Sequence, residues 1–479
     1  MLKYTAEINK WIDENKDELL KDWISICKTP AIKGDPEENA PFGTECAKGL
    51  EECTNLFKKR GFEAKTFDKS GYSLITYGSG EKTIGIFTHS DVVPVGEDWL
   101  YTKPFEPVIK NGALIGRGVE DNKSGIMATL CAMEVFRKFN IPLKSRIQLF
   151  IGSNEETGMA DIEAFKNEQP MPEISLIPDA DFPCSTGEKG ICQLYAKSNS
   201  AFEDIIDFCG GEAFNIVLDK ATVTLKKIDT LKNELEKQLE NNTEITLSED
   251  DSTISLCAKG IAKHASLPEG SVNAAYLLAK LLSDTKALSD NDRNIMSKTA
   301  HILSCPFGSS LGIDFCDDLF GKLTFVNGMV SVDNGCIQLS FDMRYSSALE
   351  TNDLINRTSA AFNDLGWNIE VKDNMPGFSI DPDSKIPELF ENIYKEISGF
   401  DKKSFKLGGG TYARHLENAF SVGTFCETAD RKTPVFEMPA GHGGAHQCDE
   451  MIDIESFFVA VRIIIQYLLA MDEEINTGC

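Results

Sequence analysis

A chain of 479 residues with 42% apolar and 26% charged residues is ordinary for a globular protein but too long for one ordinary core, so two or three domains are expected. Its formal net charge of −27 argues against nucleic acid as a partner, because phosphate binding needs a basic face. No continuous run reaches the roughly 20 apolar residues of a membrane helix, and the acidic, amphipathic start MLKYTAEINKWIDENKDELL lacks the basic-then-apolar order of a signal peptide; the expectation is a cytoplasmic protein with no membrane partner.

In chain order, residues 3–27 carry apolar side chains at helical spacing (Ile8, Trp11, Ile12, Leu19, Leu20, Trp23, Ile24), and a second helix is expected over 44–60. SLITY, TIGIFTH, RIQLFIGS and ISLIPD then read as strands, with SGIMATLCAMEVFRKF as a helix between two of them. Near-continuous apolar strands separated by helices indicate an α/β fold with a mostly parallel central sheet covered by helices. After about residue 186 the texture changes to short alternating strands (ATVTLKKI, TISLCAKG), a charged helix (DTLKNELEKQLENN), a helix from about Val272 and the strand CIQLSFDMRYS. From about 385 the first texture returns, ending in FKLGGGTYAR, SVGTF and the apolar helix IESFFVAVRIIIQYLLAM. This order predicts a discontinuous domain, 1–186 and 383–479, interrupted by an inserted α+β lid domain, 187–382. The 14 scattered cysteines form no C-x-x-C pair and suit reduced thiols rather than a disulfide scaffold or zinc ribbon.

Ligand sites of open α/β sheets lie beyond the carboxyl ends of the strands. After TIGIFT come His89 and Asp91; after LIGRGVE, Asp121; after RIQLFIGSN, Glu155 and Glu156; after ISLIP, Asp179. The chain has six histidines, and His446 lies in the glycine-rich loop GHGGAHQCDE. Each site alone has a plain structural explanation as a turn or helix cap. Together, histidine with carboxylates is a donor mixture for zinc or manganese. A carboxylate shared by two dications roughly 3.5–4 Å apart is the usual two-metal hydrolase arrangement.

The set HSDVVP, GRGVEDNKSG, NEETG, PDADFP and AHQCDE resembles the co-catalytic zinc peptidases that include aminoacylase and glutamate carboxypeptidase. GEDWLYTKPFEPVIKNGALIGRG, GGEAFNIV, GIAKHASLPEGSVNAA, FDMRYS and GGGTYAR match the bacterial PepV-like (carnosinase-like) dipeptidases in order, from about residue 10 to 470. The resemblance implies that His89, Asp121 and Asp179 hold one metal and that Asp121, Glu156 and His446 hold the other, zinc first, with manganese or cobalt as alternatives. Asp91 would orient His89, Glu155 would act as general base, and His264, Arg344 and Asn215 would bind the substrate's oxyanion and carboxylate. GGGT at 408–411 would either offer N–H groups to that carboxylate or form a tight turn. The implied activity is hydrolysis of short unblocked dipeptides by a monomer, Xaa-His dipeptides being substrates of relatives. The alternative within the family is an N-acyl amino acid amidohydrolase. A metal- or peptide-binding relative without activity would have lost a ligand or the base, and none is lost here.

Three positions depart from the family pattern. Asn122 stands where Asp is frequent, removing a charge beside the bridging Asp121. Leu218 stands where Pro is common, which weakens the assignment of Asn215. GHGGAHQCDE offers two histidines, and the pattern His-x-x-Asn/Asp-Glu selects His446 over His442.

Overall fold

The computed structural model describes residues 2–240, 242–381, 383–429, 438–439 and 441–477. The chain divides into two compact units, one of Met1–Gly187, Ile380–Phe405 and Thr411–Cys479, the other of Glu188–Ser379 and Lys406–Gly410.

The first unit contains helices α1 (Thr5–Ile26), α2 (Thr44–Lys59), α3 (Lys123–Lys138), α4 (Ala160–Glu168), α5 (Ile386–Ser398) and α6 (Ile454–Thr477). Its central sheet has strands β1 (Glu63–Phe67), β2 (Tyr72–Tyr77), β3 (Thr83–His89), β4 (Arg146–Gly152), β5 (Ile174–Ala180) and β6 (Ala419–Gly423), in the order β1-β2-β4-β3-β5-β6. The β4–β3, β3–β5 and β5–β6 pairings are parallel, while β1–β2 and β2–β4 are antiparallel. The parallel strands therefore end at one edge, and His89 pairs in register with Gly152, three residues before Glu155.

Both sheet faces are covered, which explains the uninterrupted burial of β3. Ile84, Ile86, Leu149 and Ile151 join the core formed with α1, α3 and α6. Phe87 and Phe150 pack instead against Phe165 of α4. Among the described residues one helix, α6, is long and apolar enough to cross a membrane by length and composition, although Arg462 and Gln466 interrupt its apolar run. The packing gives the reason for its apolarity: 78% of its most apolar window is buried, with Phe457, Val461, Ile464 and Leu468 inside the core.

The second unit has two antiparallel four-stranded sheets. One pairs Thr324–Asp333, Cys336–Tyr345, Gly190–Ser198 and Trp367–Met375 in that order. The other pairs Ile205–Cys209, Lys220–Lys226, Thr253–Lys259 and Ile245–Glu249. Helices Ala274–Ser283, Asp290–Leu303 and Thr351–Asp364 contribute Leu278, Ile295 and Phe362 to its core. Leu218, the residue at the frequent proline position, is buried in that core, so an apolar side chain serves there without the ring.

Candidate metal centre

His89 ends β3 and is 1% exposed. Its Nδ1 lies 3.0 Å from the main-chain oxygen of Asp91 and 3.5 Å from the Asp91 carboxylate. A ring nitrogen engaged by a carbonyl must carry a proton, so Nε2 is the nitrogen that faces the other way. Nε2 is buried without a hydrogen-bond partner, 3.0 Å from Asp121 Oδ1 and 3.6 Å from Asp179 Oδ2. Orientation of His89 thus comes chiefly from the backbone of Asp91. The Asp91 carboxylate accepts the N–H groups of Glu155 (3.2 Å) and Glu156 (3.1 Å), pinning the short 3-10 turn Glu155–Thr157 that follows β4.

Asp121 is not at a strand end, as the sequence pattern suggested. Residues 116–122 turn from the short strand Ala113–Ile115 into α3. The turn is organised by Glu450, whose buried carboxylate accepts the N–H groups of Gly118 (2.9 Å), Glu120 (2.8 Å) and Asp121 (3.1 Å) and pairs with Arg117 at 2.8 Å. So held, Asp121 turns Oδ1 to His89 and Oδ2 to His446, whose Nε2 is 3.0 Å from it and 3.1 Å from Glu156 Oε2. His89, Asp121 and Asp179 bring one ligand atom each within 4.8 Å of one another, as do Asp121, Glu156 and His446. The two sets share Asp121.

The electrostatics are those of several carboxylates and two histidines held close together. Burial raises the Glu155 carboxyl well above the usual range; His89 opposes this, while Asp179, Glu156 and Asp121 add to it. Glu156 is likewise raised, by burial and then by Asp121, to about 7. Burial pulls His446 down, but Asp121 and Glu156 outweigh it and hold the ring up at about 11, although its side chain is 46% exposed. Burial also opposes ionisation of Asp121, yet the two histidines keep it well below its ordinary value. An orphaned imidazole nitrogen among converging nitrogen and oxygen donors, without thiolates, fits divalent cations such as zinc or manganese. Beside the donors lies a cleft of about 230 Å³ lined by Glu120, Asn122, Asp181, Thr424 and Phe425, among others.

Several supporting residues carry no separate signal in the sequence. Asp161, fully buried, accepts the N–H groups of Ser153 (2.7 Å) and Asn154 (2.8 Å) and the hydroxyl of Tyr412 (2.7 Å), fixing the chain just before Glu155. Gly152 makes this possible: a Cβ there would fall 2.0 Å from the Tyr412 hydroxyl and 2.3 Å from the Asp161 carboxylate. Glu450 was legible only as the final letter of the His-x-x-Asp-Glu pattern. His442 donates its Nδ1–H to the Asp449 carboxylate at 2.7 Å and belongs to neither donor set, while Asp449 also accepts the N–H groups of Leu100 and Tyr101.

The other candidates lie in the second unit and are described within it. His264 Nδ1 accepts the Ser266 N–H at 3.2 Å and lies 2.7 Å from the Ser266 hydroxyl, so the neutral ring carries its proton on Nε2, as a donor. Asn215 is tied to the same turn by its carbonyl, which accepts the Ala265 N–H at 2.8 Å. A Cβ at Gly408 would sit 3.0 Å from the Ser266 side chain, so this end of GGGT packs on the His264 turn. Arg344, near the end of its strand, pairs through Nε and Nη2 with the fully buried Asp342. One edge of the guanidinium fork that the resemblance assigns to a substrate carboxylate is therefore already engaged.

A family model described as peptidase family M20/M25/M40 matches residues 85–470. A putative dipeptidase of Staphylococcus epidermidis is 27% identical over 473 residues, covering 96% of this chain and 98% of the relative. A putative dipeptidase of Staphylococcus aureus is 27% identical over 479 residues, with 96% and 99% covered. Among solved structures, the di-peptidase Dug1p of Saccharomyces cerevisiae superposes with a TM-score of 0.61 at 15% identity, covering 99% of both chains. Human carnosine dipeptidase 1 gives 0.61 at 13% identity, covering 98% and 99%. At such identities the structures speak for a shared fold. The family match spans most of the chain, and it carries the conclusion that this protein belongs to peptidase family M20/M25/M40 and is a hydrolase.

Proposed function

We propose that the protein is a two-metal dipeptidase that cleaves short peptides bearing a free α-amino group. The observation that carries this is the position of Asp121, one oxygen turned to His89 and the other to His446, at the junction of two complete donor sets. His89, Asp121 and Asp179 would hold one cation, and Asp121, Glu156 and His446 would hold the other. Bound there, two divalent cations supply positive charge that polarises the scissile carbonyl and makes the attacking water more acidic. Zinc is the first choice, with manganese and cobalt compatible with the same donors.

The residues then divide the work. Glu155, buried beside the donor sets, takes a proton from the attacking water as its oxygen bonds to the carbonyl carbon. It passes that proton to the amine nitrogen as the C–N bond breaks. Asp91 holds the turn that carries Glu155 and Glu156. In the second unit, His264 supplies its Nε2–H to the developing oxyanion, and Arg344, oriented by Asp342 and aided by Asn215, binds the substrate carboxylate.

Free dipeptides are favoured over N-acyl amino acids for two reasons. The cleft beside the donors is lined by Asp181, whose carboxylate suits an ammonium group better than an acyl chain. The Staphylococcus relatives matched over nearly their whole length are named dipeptidases. The test is a panel of dipeptides and N-acetyl amino acids, assayed before chelation, after it and with each metal restored. Dipeptide turnover lost on chelation and recovered with metal is expected; hydrolysis of the N-acetyl set alone would make the protein a deacylase.

A further inference from the structure

We propose that Asn122 is a positioning residue for Asp179, selecting which carboxylate oxygen meets the metal; this rests on the two-metal reading above. Asn122 is 1% exposed, between Asp121 and the first residue of α3. Its Nδ2 lies 2.6 Å from the carbonyl oxygen of Pro178 and 2.8 Å from Asp179 Oδ1. Both neighbours are acceptors, so the atom facing them is the NH2 group; a flipped amide would set oxygen against two oxygens. Both amide hydrogens are used, one on the backbone of β5 and one on the carboxylate at its end.

The room for this arrangement comes from Gly125, one turn into α3. A Cβ there would lie 2.6 Å from Asn122 Oδ1 and 2.8 Å from the Pro178 oxygen. With Oδ1 of Asp179 occupied by Asn122, the other oxygen, Oδ2, is the one that faces His89 Nε2. Asp179 would then present Oδ2 to the cation held with His89 and Asp121. An ionised Asp at 122 could not make this contact, having no hydrogen to donate. The replacement of Asp by Asn thus does more than remove a charge: it supplies a donor aimed at a ligand of one metal set only.

The consequence is selective. Hydrogen-bonding partners of metal ligands typically govern about 10–100-fold in metal affinity. Chelator-stripped protein titrated with zinc against a chromophoric chelator should show two uptake steps in the wild type. Asn122→Leu, similar in size but without a donor, should weaken one step by about 10–100-fold and leave the other unchanged. The weakened step should be the one lost in Asp179→Asn and kept in His446→Ala. Asn122→Ala provides the same comparison if Leu does not fold. Wild-type affinities at both steps in a folded Asn122 variant, or weakening of the step that depends on His446, would overturn the proposal. A wild type that takes up no metal would instead overturn the two-metal reading itself.

Discussion

At the residue scale, the adjacent acids Glu155 and Glu156 look like an electrostatic liability in sequence. In the fold their backbone N–H groups both point at the Asp91 carboxylate, and the proposed mechanism gives their side chains different tasks. The histidines make the charge argument testable. His446 is held above its ordinary value by Asp121 and Glu156, so metal-free protein keeps its ring proton at pH 7.5, and a cation must displace that proton to reach the nitrogen. Glu156, raised to about 7, adds a second exchangeable proton below that pH and little above it. Zinc binding measured calorimetrically in buffers of different ionisation enthalpy should therefore release at least one proton at pH 7.5 and more at pH 6. Apparent affinity should fall as pH falls. Uptake with no proton release at either pH would contradict these protonation states.

At the element scale, parts of the site were legible because strand periodicity and strand ends are written locally. His89, Glu155, Glu156 and Asp179 all follow apolar runs that became β3, β4 and β5. Asp121, which the sequence pattern sets among them, sits instead on the turn into α3, shaped by a partner 329 residues away. Such a contact has no local signature. It gives a prediction of its own. Glu450→Ala would leave Arg117 as an unpaired buried charge and the N–H groups of Gly118, Glu120 and Asp121 without their acceptor. Loss of about 3–5 kcal/mol of stability is expected, together with weakened uptake of both metals, because Asp121 belongs to both sets. Thermal unfolding and metal titration of the variant check both; loss of stability with both metal steps intact would show that Asp121 finds its place without Glu450.

At the scale of the whole molecule, the chain clusters into two units, and residues 406–410 go with the second, a five-residue excursion too short to alter composition. Burial of α6 was equally invisible, since a core helix and a membrane helix share length and apolarity and differ only in what surrounds them. The family match extends over residues 85–470, and to it the proposal adds a division of labour among a few carboxylates that this fold gathers. The most direct test measures metal content and dipeptide turnover together in wild type, Glu155→Gln and Glu156→Gln. Glu155→Gln should retain both metals and lose about 10²–10⁴-fold in turnover, while Glu156→Gln should lose metal from the set that includes His446. Turnover in Glu155→Gln equal to wild type, at equal metal content, would contradict the assignment of Glu155 as the base.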